Sequence, residues 1–299
     1  MIVAVTGASG LVGSALRRAL AAQGHDVLPL VRGAPPAPGE RVVRWDPAAG
    51  TLAAADLEGV DAVVHLAGER IAGRWTAAKK ARIRDSRVRS TALLAGTLAR
   101  LARPPRVLVS ASAVGWYGDR GDEILTEGSP PGTGFLAEVC REWEAATGPA
   151  ALVGIRVAHL RIGMVLSRRG GGLAALLPAF RLGLGGAVGR GVQWMSWIAL
   201  DDLVGALVHA LGADTLAGPV NAVAPHPVTN REFTRTLGRV LRRPAFLPFP
   251  ALAARLLLGE MANALLLASV RALPLRLTAS GYAFEHPQLD GALRAELAR

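Results

Sequence analysis

Three glycines near the amino terminus have the spacing of an anion-binding turn. In "TGASGLVG", Gly7, Gly10 and Gly13 lie between the apolar run "IVAVT" and a helical pattern. Glycine lets the backbone turn tightly and approach a ligand, and the N–H groups and dipole of a helix N-terminus attract phosphate. A glycine triplet alone has low specificity, but this one has the strand–turn–helix context that dinucleotide sites require. The pattern predicts a pyrophosphate site.

The end of the second predicted strand, "DVLPLVRG", indicates which dinucleotide fits. An acid at this point would bind the ribose 2′-hydroxyl and favour NAD, but Asp26 lies at the start of the strand. Arg32 stands at the end instead, and its planar guanidinium suits a 2′-phosphate. An ordinary surface arginine is the alternative. The position of Arg32 and the missing acid together favour NADP(H).

The elements that must position these residues alternate along the chain. The short apolar runs are "IVAVT", "DVLPLV", "DAVVH", "RVLVSAS" and "RVAHLRIG", and helical patterns separate most of them. Apolar strands that alternate with helices predict an α/β fold, a doubly wound parallel sheet of Rossmann type. We expect the Rossmann domain at residues 1–224, with the loops at 166–195 joining the substrate side. Residues 225–299, which are proline-punctuated and helical, predict a smaller, mainly helical C-terminal lobe.

Composition excludes several classes of protein. The net charge is +11, but only Lys79 and Lys80 of the 34 basic residues are lysines, and the remaining 32 are arginines spread along the chain. Without interleaved aromatics this distribution argues against a nucleic-acid partner. One cysteine fits a reducing compartment, and no apolar segment is long enough to span a membrane. We expect a cytoplasmic protein with no membrane partner and no metal site.

From end to end, the chain resembles the short-chain dehydrogenase/reductase superfamily, and more narrowly its atypical epimerase family of sugar-nucleotide-epimerase-like proteins. The C-terminal "SVRALPLRLTASGYAFEHP" resembles the short terminal domain of that branch. The other motifs that carry the resemblance, in chain order, are "TGASGLVG", "HLAGERIAGRWT", "SASAVGWYGD", "FLAEVCREWE", "LRIGMVL", "WMSWIALDDL" and "NAVAPHPVTNREF".

The resemblance implies NADP(H) binding and adds residues to the cofactor site. It assigns Leu11 and Val12, with the three glycines, to the pyrophosphate. It places Ala67, Gly68 and Glu69 near the ribose and nicotinamide, and Arg74 near a phosphate. Where the branch commonly has histidine this chain has Ala199, so any role of that histidine is in doubt here.

The same resemblance exposes a problem with the chemistry. In the superfamily a tyrosine transfers the substrate proton, a lysine four residues later lowers its pKa, and a serine orients the carbonyl. Ser112 matches the serine, but neither Tyr117 nor Tyr282 is followed by a lysine four residues later. The helix "GFLAEVCREWE" offers Phe135 or Leu136 in place of the tyrosine, and Val139 or Cys140 in place of the lysine. None of these four can replace a phenol–ammonium pair.

Two functions therefore remain open. The first is an NADP-dependent oxidoreductase or nucleotide-sugar epimerase that lacks the Tyr-x-x-x-Lys pair, with Ser112 and Tyr117 as candidate catalytic residues. The second is a non-catalytic NADP(H)-binding sensor or regulatory protein. We expect a small-molecule substrate, such as a nucleotide-linked sugar, and a monomer or homodimer.

Overall fold

A computed structural model describes residues 1–33, 39 and 41–298. The strands are β1 (Ile2–Thr6), β2 (Asp26–Val31), β3 (Val43–Asp46), β4 (Thr51–Leu52), β5 (Ala62–His65), β6 (Val107–Ala113), β7 (Ile124–Leu125), β8 (Arg156–Ile162), β9 (Met164–Leu166), β10 (Trp194–Met195), β11 (Trp197–Ala199), β12 (Gly218–Ala222), β13 (Val228–Thr229) and β14 (Arg271–Ala272). The helices are α1 (Leu11–Ala22), α2 (Ala77–Leu98), α3 (Phe135–Ala145), α4 (Gly148–Leu152), α5 (Gly171–Arg181), α6 (Leu200–Gly212), α7 (Asn230–Leu241), α8 (Ala251–Leu258), α9 (Leu275–Ala279) and α10 (Leu289–Ala298). Short 3₁₀ helices span Ala54–Leu57 and Val114–Tyr117, and a π-helix spans Ala262–Leu267.

An eight-stranded sheet forms the centre, in the order β12-β8-β6-β5-β1-β2-β3-β4. All neighbours pair in parallel except β3 and β4, which are antiparallel. From β1 the chain first adds β2, β3 and β4 on one side of the sheet, and then adds β5, β6, β8 and β12 on the other side. The strand order therefore reverses between β1 and β5, which is the topological switch point of the sheet. Ligands of such sheets bind at the carboxyl ends of the strands at this point. The predicted doubly wound parallel sheet is confirmed.

Both faces of the sheet are covered, which explains why its strands are continuously apolar. Along β1, Val3 and Val5 enter one core and Ala4 enters the other. The first core holds α1 and α6, and the second holds α2. Among the described residues no helix combines the length and apolarity that a bilayer span needs.

The residues after β12 pack back onto the sheet domain. Leu277 of α9 is fully buried in the core that also holds Val220 of β12. The Glu296 carboxylate of α10 accepts hydrogen bonds from the Ser167 hydroxyl at 3.0 Å and the Arg168 N–H at 2.7 Å. The division into domains at 1–224 and 225–299 stays a prediction. The contacts of Leu277 and Glu296 show that α9 and α10 pack on the sheet domain.

A second junction joins the C-terminal part to the start of α2. Met261 packs in one buried cluster with Trp75, and its sulfur accepts the Gly73 N–H at 3.2 Å. Lys80 of α2 donates to both carboxylate oxygens of Glu260, at 3.0 and 2.9 Å. Apolar contact and an ion pair thus fix residues 258–264 against the sheet domain.

Candidate dinucleotide and active site

The turn between β1 and α1 depends on its glycines for three different reasons. Gly7 has φ +65°, and a Cβ there would lie 2.8 Å from the carbonyl of Leu66. A Cβ at Gly13 would overlap the carbonyl oxygen of Gly7. At Gly10, which is exposed, a Cβ would approach only the Gly7 oxygen, at 3.2 Å. Gly7 and Gly13 therefore permit tight backbone packing, and Gly10 leaves the outer side of the turn open to a ligand.

The N-terminus of α1 has the properties of an anion site. Gly10 is its N-cap and supplies no side-chain hydrogen bond, and its first turn contains no acidic residue. The first N–H groups of a helix, here those of Leu11, Val12 and Gly13, have no acceptor within the helix. These donors and the helix dipole fit the pyrophosphate of a dinucleotide.

A buried polar cluster holds the loop after β5 against this turn. The Thr6 hydroxyl accepts the N–H groups of Leu66 at 3.0 Å and Ala67 at 3.1 Å. The same oxygen lies 2.7 Å from Nδ1 of His65. Complete burial lowers the pKa of His65 from 6.5 to about 4, because the charged imidazolium is poorly solvated there. His65 is therefore a neutral structural group at physiological pH.

Glu69, which was predicted to lie near the cofactor, forms an ion pair with α2. The Lys79 ammonium donates to the Glu69 carboxylate at 2.7 Å, and the backbone N–H of Glu69 donates to the Ser86 hydroxyl at 2.9 Å. The hydrogen bond from Lys79 lowers the pKa of Glu69, and the charges of Lys79, Arg82 and Arg32 act in the same direction. The structure therefore brings Arg32 and Glu69 into one electrostatic neighbourhood.

The other predicted cofactor residues fall at three places. Gly68 lies against the guanidinium of Arg87, since a Cβ there would be 3.3 Å from its Cζ. Arg74 is exposed, and its side chain lies beside Gly259 at the junction with the C-terminal part. Arg32 is exposed directly after β2, at the end of the strand, as the sequence predicts.

The contacts of α3 show which of its residues face the end of β6 and the turn after it. A Cβ at Gly115 would lie 3.2 Å from Cβ of Leu136 and 3.9 Å from Sγ of Cys140. The Cys140 thiol also donates to the carbonyl of Ala113, the last residue of β6, at 3.7 Å. Phe135 instead packs edge-on against Trp75. Leu136 therefore faces the turn after β6, and Cys140 faces the end of β6, the strand that carries Ser112.

Cys140 is buried and protonated in this setting. Burial, reinforced by the charge of Glu144, raises the pKa of its thiol to about 12. A thiol nucleophile requires the thiolate form. Cys140 thus has the properties of a small apolar side chain.

Ser112 lies near the end of β6, as the sequence predicts, but its hydroxyl is engaged inside the protein. It donates to Oε1 of Glu144 at 2.6 Å. The same carboxylate accepts two hydrogen bonds from Arg161 of β8, both at 2.9 Å. Ser112 is 2% exposed, and the side chains of Arg161 and Glu144 are 3% and 9% exposed. The pair is therefore a buried, hydrogen-bonded ion pair.

Tyr117 belongs to the same network. Its phenol lies 2.7 Å from Oδ1 of Asn221 and 3.0 Å from the carbonyl of Thr126, and it accepts an N–H of Arg161 at 3.1 Å. The side chain is fully buried, and burial raises the pKa of the phenol. The guanidinium of Arg161 also stacks on Trp116, 3.8 Å from the ring centroid.

The structure thus brings the two predicted catalytic residues together, through a charge pair that the sequence analysis did not identify. Glu144 lies one helical turn after Cys140, so its face could have been predicted from spacing. Its partner Arg161 lies on another strand, and nothing in the local sequence indicates the pair. The polar groups of Ser112 and Tyr117 are satisfied within the fold.

Comparison with known proteins identifies the family. Residues 3–222 match the NAD dependent epimerase/dehydratase family. The chain belongs to this family. Residues 249–296 match a second family described as a domain of unknown function, DUF1731. The resemblance stated from the motifs is confirmed over the sheet domain and over the C-terminal part.

Relatives of this epimerase-family protein match it along almost its whole length. The epimerase family protein Mb2239 of Mycobacterium bovis is 45% identical over 98% of this chain and 96% of its own length. A solved structure of the human epimerase family protein SDR39U1 (isoform 2), with NADPH, is 35% identical, covers 100% of both chains and has a TM-score of 0.90. A solved nucleoside-diphosphate sugar epimerase from Corynebacterium glutamicum is 43% identical over 99% of this chain and 58% of its own, with a TM-score of 0.81.

Proposed function

We propose that this protein binds NADP(H) at the carboxyl edge of the sheet. Gly7, Gly10 and Gly13, with the N–H groups of Leu11 and Val12, hold the pyrophosphate. Arg32 binds the 2′-phosphate of the adenosine. The support is the open, uncapped helix N-terminus and the human relative solved with NADPH. When bound, the nicotinamide donates or accepts a hydride.

The remaining assignments extend this site. Ala67 and Gly68 lie on the loop that the Thr6 hydroxyl holds against Gly7, so we assign them to the ribose and nicotinamide. Glu69 positions this loop through Lys79. Arg74, at the junction with the C-terminal part, is assigned to a phosphate of the cofactor.

The function that the geometry supports best is binding of NADP(H) without proton transfer by a Tyr–Lys pair, as in a sensor or regulatory protein. One observation carries this proposal: the buried, protonated Cys140 lies beside Ser112 and Leu136 packs on the turn after β6, on the helix where the resemblance leads us to expect the tyrosine and lysine. Ser112 and Tyr117 hydrogen-bond to Glu144 and Asn221 instead of pointing a free hydroxyl at a substrate.

A second candidate is an NADP-dependent oxidoreductase or nucleotide-sugar epimerase with a different proton donor. Lys80 supports it, because its ammonium lies 4.6 Å from the ring centroid of Phe135, the residue before Leu136, and pairs with Glu260. The relative named a nucleoside-diphosphate sugar epimerase suggests the substrate class.

The cytoplasm stays a proposed location, and a relative from Arabidopsis thaliana, 40% identical, is described as chloroplastic.

The two candidates are separated by measuring NADPH binding, NADPH oxidation and epimer formation on one preparation. Binding is followed by cofactor fluorescence, and oxidation is followed with a panel of carbonyl compounds. Epimerisation returns the hydride and consumes no net cofactor, so it is followed by chromatography of nucleotide sugars incubated with the protein and NADP⁺. We expect saturable binding, and neither oxidation nor epimer formation above the rate without protein. Turnover that is lost in Ser112→Ala or Tyr117→Phe, with NADPH binding retained, would refute the non-catalytic proposal. Turnover that is lost only in Lys80→Gln would establish the second candidate.

A further inference from the structure

An arginine-lined pocket of about 460 Å³ lies in the C-terminal part, apart from the glycine turn. Its walls are α7 and the segments 187–190 and 243–248, and no acidic residue lines it. Five arginines line the pocket: Arg190, Arg231, Arg235, Arg239 and Arg243.

Three of these arginines recur every four residues on α7. Arg231, Arg235 and Arg239 therefore occupy one face of the helix, where like charges repel each other. The opposite face buries Phe233 and Leu237 in the C-terminal core. Because burial fixes the orientation of the helix, the fold holds the arginine row toward the pocket.

Both neighbouring segments are packed tightly against α7. A Cβ at Gly238 would lie 2.6 Å from Cβ of Ala245 and 3.0 Å from the carbonyl of Arg243. A Cβ at Gly191 would lie 2.9 Å from Cβ of Ala187 and 3.2 Å from Cβ of Arg231. These close approaches give the pocket fixed walls on two sides.

The turn after α7 brings the fifth arginine into place. Arg242, the C-cap, has φ +54° and is the one non-glycine residue in the left-handed region in the described part of the chain. The N–H of Arg243 then donates to the carbonyl of Gly238 at 2.9 Å, which closes the end of the helix. A left-handed arginine is a strained choice where glycine is usual.

The positive charges are poorly compensated within the protein. Arg231 donates to the carbonyl of Arg190 at 2.9 Å. Arg239 lies 3.6 Å from Asp290, which has a shorter ion pair with Arg294. For the other three lining arginines, no ion pair is found among residues 1–33, 39 and 41–298. The pocket therefore has a positive potential that an anion would relieve.

We propose that this pocket binds an anion with two or more adjacent phosphate groups. A row of guanidinium forks matches several phosphate oxygens, whereas one phosphate or carboxylate would engage only part of the row. The volume of about 460 Å³ lies within the range of small-ligand sites. Phe246, which lines the pocket and is 75% exposed, offers an apolar face to the organic part of such a ligand.

The proposal is tested by titrating pyrophosphate into the full chain saturated with NADPH, with calorimetric detection. We expect one saturable site and binding that weakens with salt. Arg235→Gln should weaken binding at least about tenfold, the loss of one charge-assisted contact. Arg141→Gln, which removes an exposed arginine on α3, serves as the matched control and should bind as the wild type does. A second titration, without NADPH, tests the arginine pocket independently of the proposed cofactor site.

Three results would overturn the proposal. Equal pyrophosphate affinities of Arg235→Gln and Arg141→Gln would show that the arginine row is not the site. Binding that disappears when NADPH is present would place the pyrophosphate at the cofactor turn. Tighter binding of single-stranded DNA or anionic lipid vesicles, with no saturable pyrophosphate site, would show an unspecific basic surface. Because Arg235→Gln changes the charge of α7, its thermal unfolding is compared with that of the wild type. An unchanged or slightly higher midpoint shows that the variant is folded.

Discussion

The glycine turn and the α3 position face the same edge of the sheet, yet they treat charge in opposite ways. At the turn, backbone N–H groups are left free for a ligand, and no side chain caps the helix. At α3, Arg161 and Glu144 neutralise each other in a buried pair, and the neighbouring hydroxyl and phenol are already hydrogen-bonded. The first region is built to receive a charged group from outside, whereas the second is closed on itself. One sheet edge therefore carries both a region whose backbone donors are available to a ligand and a region whose polar side chains are hydrogen-bonded within the protein.

The most severe test concerns the buried pair. Glu144→Gln should lower the free energy of unfolding by about 3–5 kcal/mol, because it leaves the buried Arg161 without a counter-charge. Glu142→Gln, two residues earlier on α3, removes only a surface pair with Arg84 and should change stability by less than about 1 kcal/mol. Urea denaturation of both variants measures the difference. Equal losses would mean that the α3 region does not depend on its internal charge pair.

Cys140 offers a kinetic test of the closed region. A thiol pKa raised from 9.0 to about 12 leaves about 1000-fold fewer thiolates at mildly alkaline pH. We expect iodoacetamide to label the native protein at least about 1000-fold more slowly than the chain denatured in guanidinium chloride. Rapid labelling of the native protein would show that the α3 region opens to solvent and is not closed as the comparison with the glycine turn requires.

His65 tests the support of the cofactor turn through pH. Its pKa is 6.5 when unfolded and about 4 when folded, so below pH 6.5 the unfolded chain takes up the proton first. The free energy of unfolding should therefore fall by about 3 kcal/mol from pH 6.5 to 4 and level off below. The part due to His65 is the difference between wild type and His65→Asn in urea denaturation. His226→Asn, at an exposed site, is the matched control for replacing a histidine by asparagine.

Gly13 tests the packing of the turn. Gly13→Ala places a Cβ on the Gly7 carbonyl oxygen, and it should cost about 1–3 kcal/mol of stability and weaken NADPH binding at least about 100-fold. Gly96→Ala in α2 is the matched control, since its Cβ would meet only the end of Arg100 at 3.7 Å. It should preserve cofactor affinity and stabilise the helix slightly. Unchanged NADPH affinity in Gly13→Ala would contradict the proposed pyrophosphate site.

Arg32 is expected to give the smallest effect and to sharpen the identity of the cofactor. Arg32→Ala should weaken NADPH binding about tenfold and leave NADH binding nearly unchanged, because only NADPH carries the 2′-phosphate. Fluorescence titration of both cofactors measures the ratio. If both affinities fall equally, Arg32 does not read the 2′-phosphate.

The sequence predicted the cofactor region better than the α3 region for a physical reason. β1, β2 and the glycine turn are specified by neighbouring residues, and the predicted strand "DVLPLV" is β2 itself. The role of Ser112 depends on Glu144 and Arg161, which are distant in sequence, so local patterns could not predict it. β3 was also missed, although Val43 and Trp45 are buried and alternate with exposed Arg44 and Asp46. Two buried positions are too few to distinguish a strand from an ordinary loop.

The return of the chain end to the sheet has a consequence for synthesis on the ribosome. Leu277 is buried in a core whose other fully buried members lie at or before Ala222, and Glu296 binds Ser167 across 129 residues. A nascent chain that has emerged only as far as β12 therefore still exposes apolar surface that α9 covers later. We expect the sheet domain to reach its final stability only when α9 and α10 have left the exit tunnel, well after its early strands have emerged.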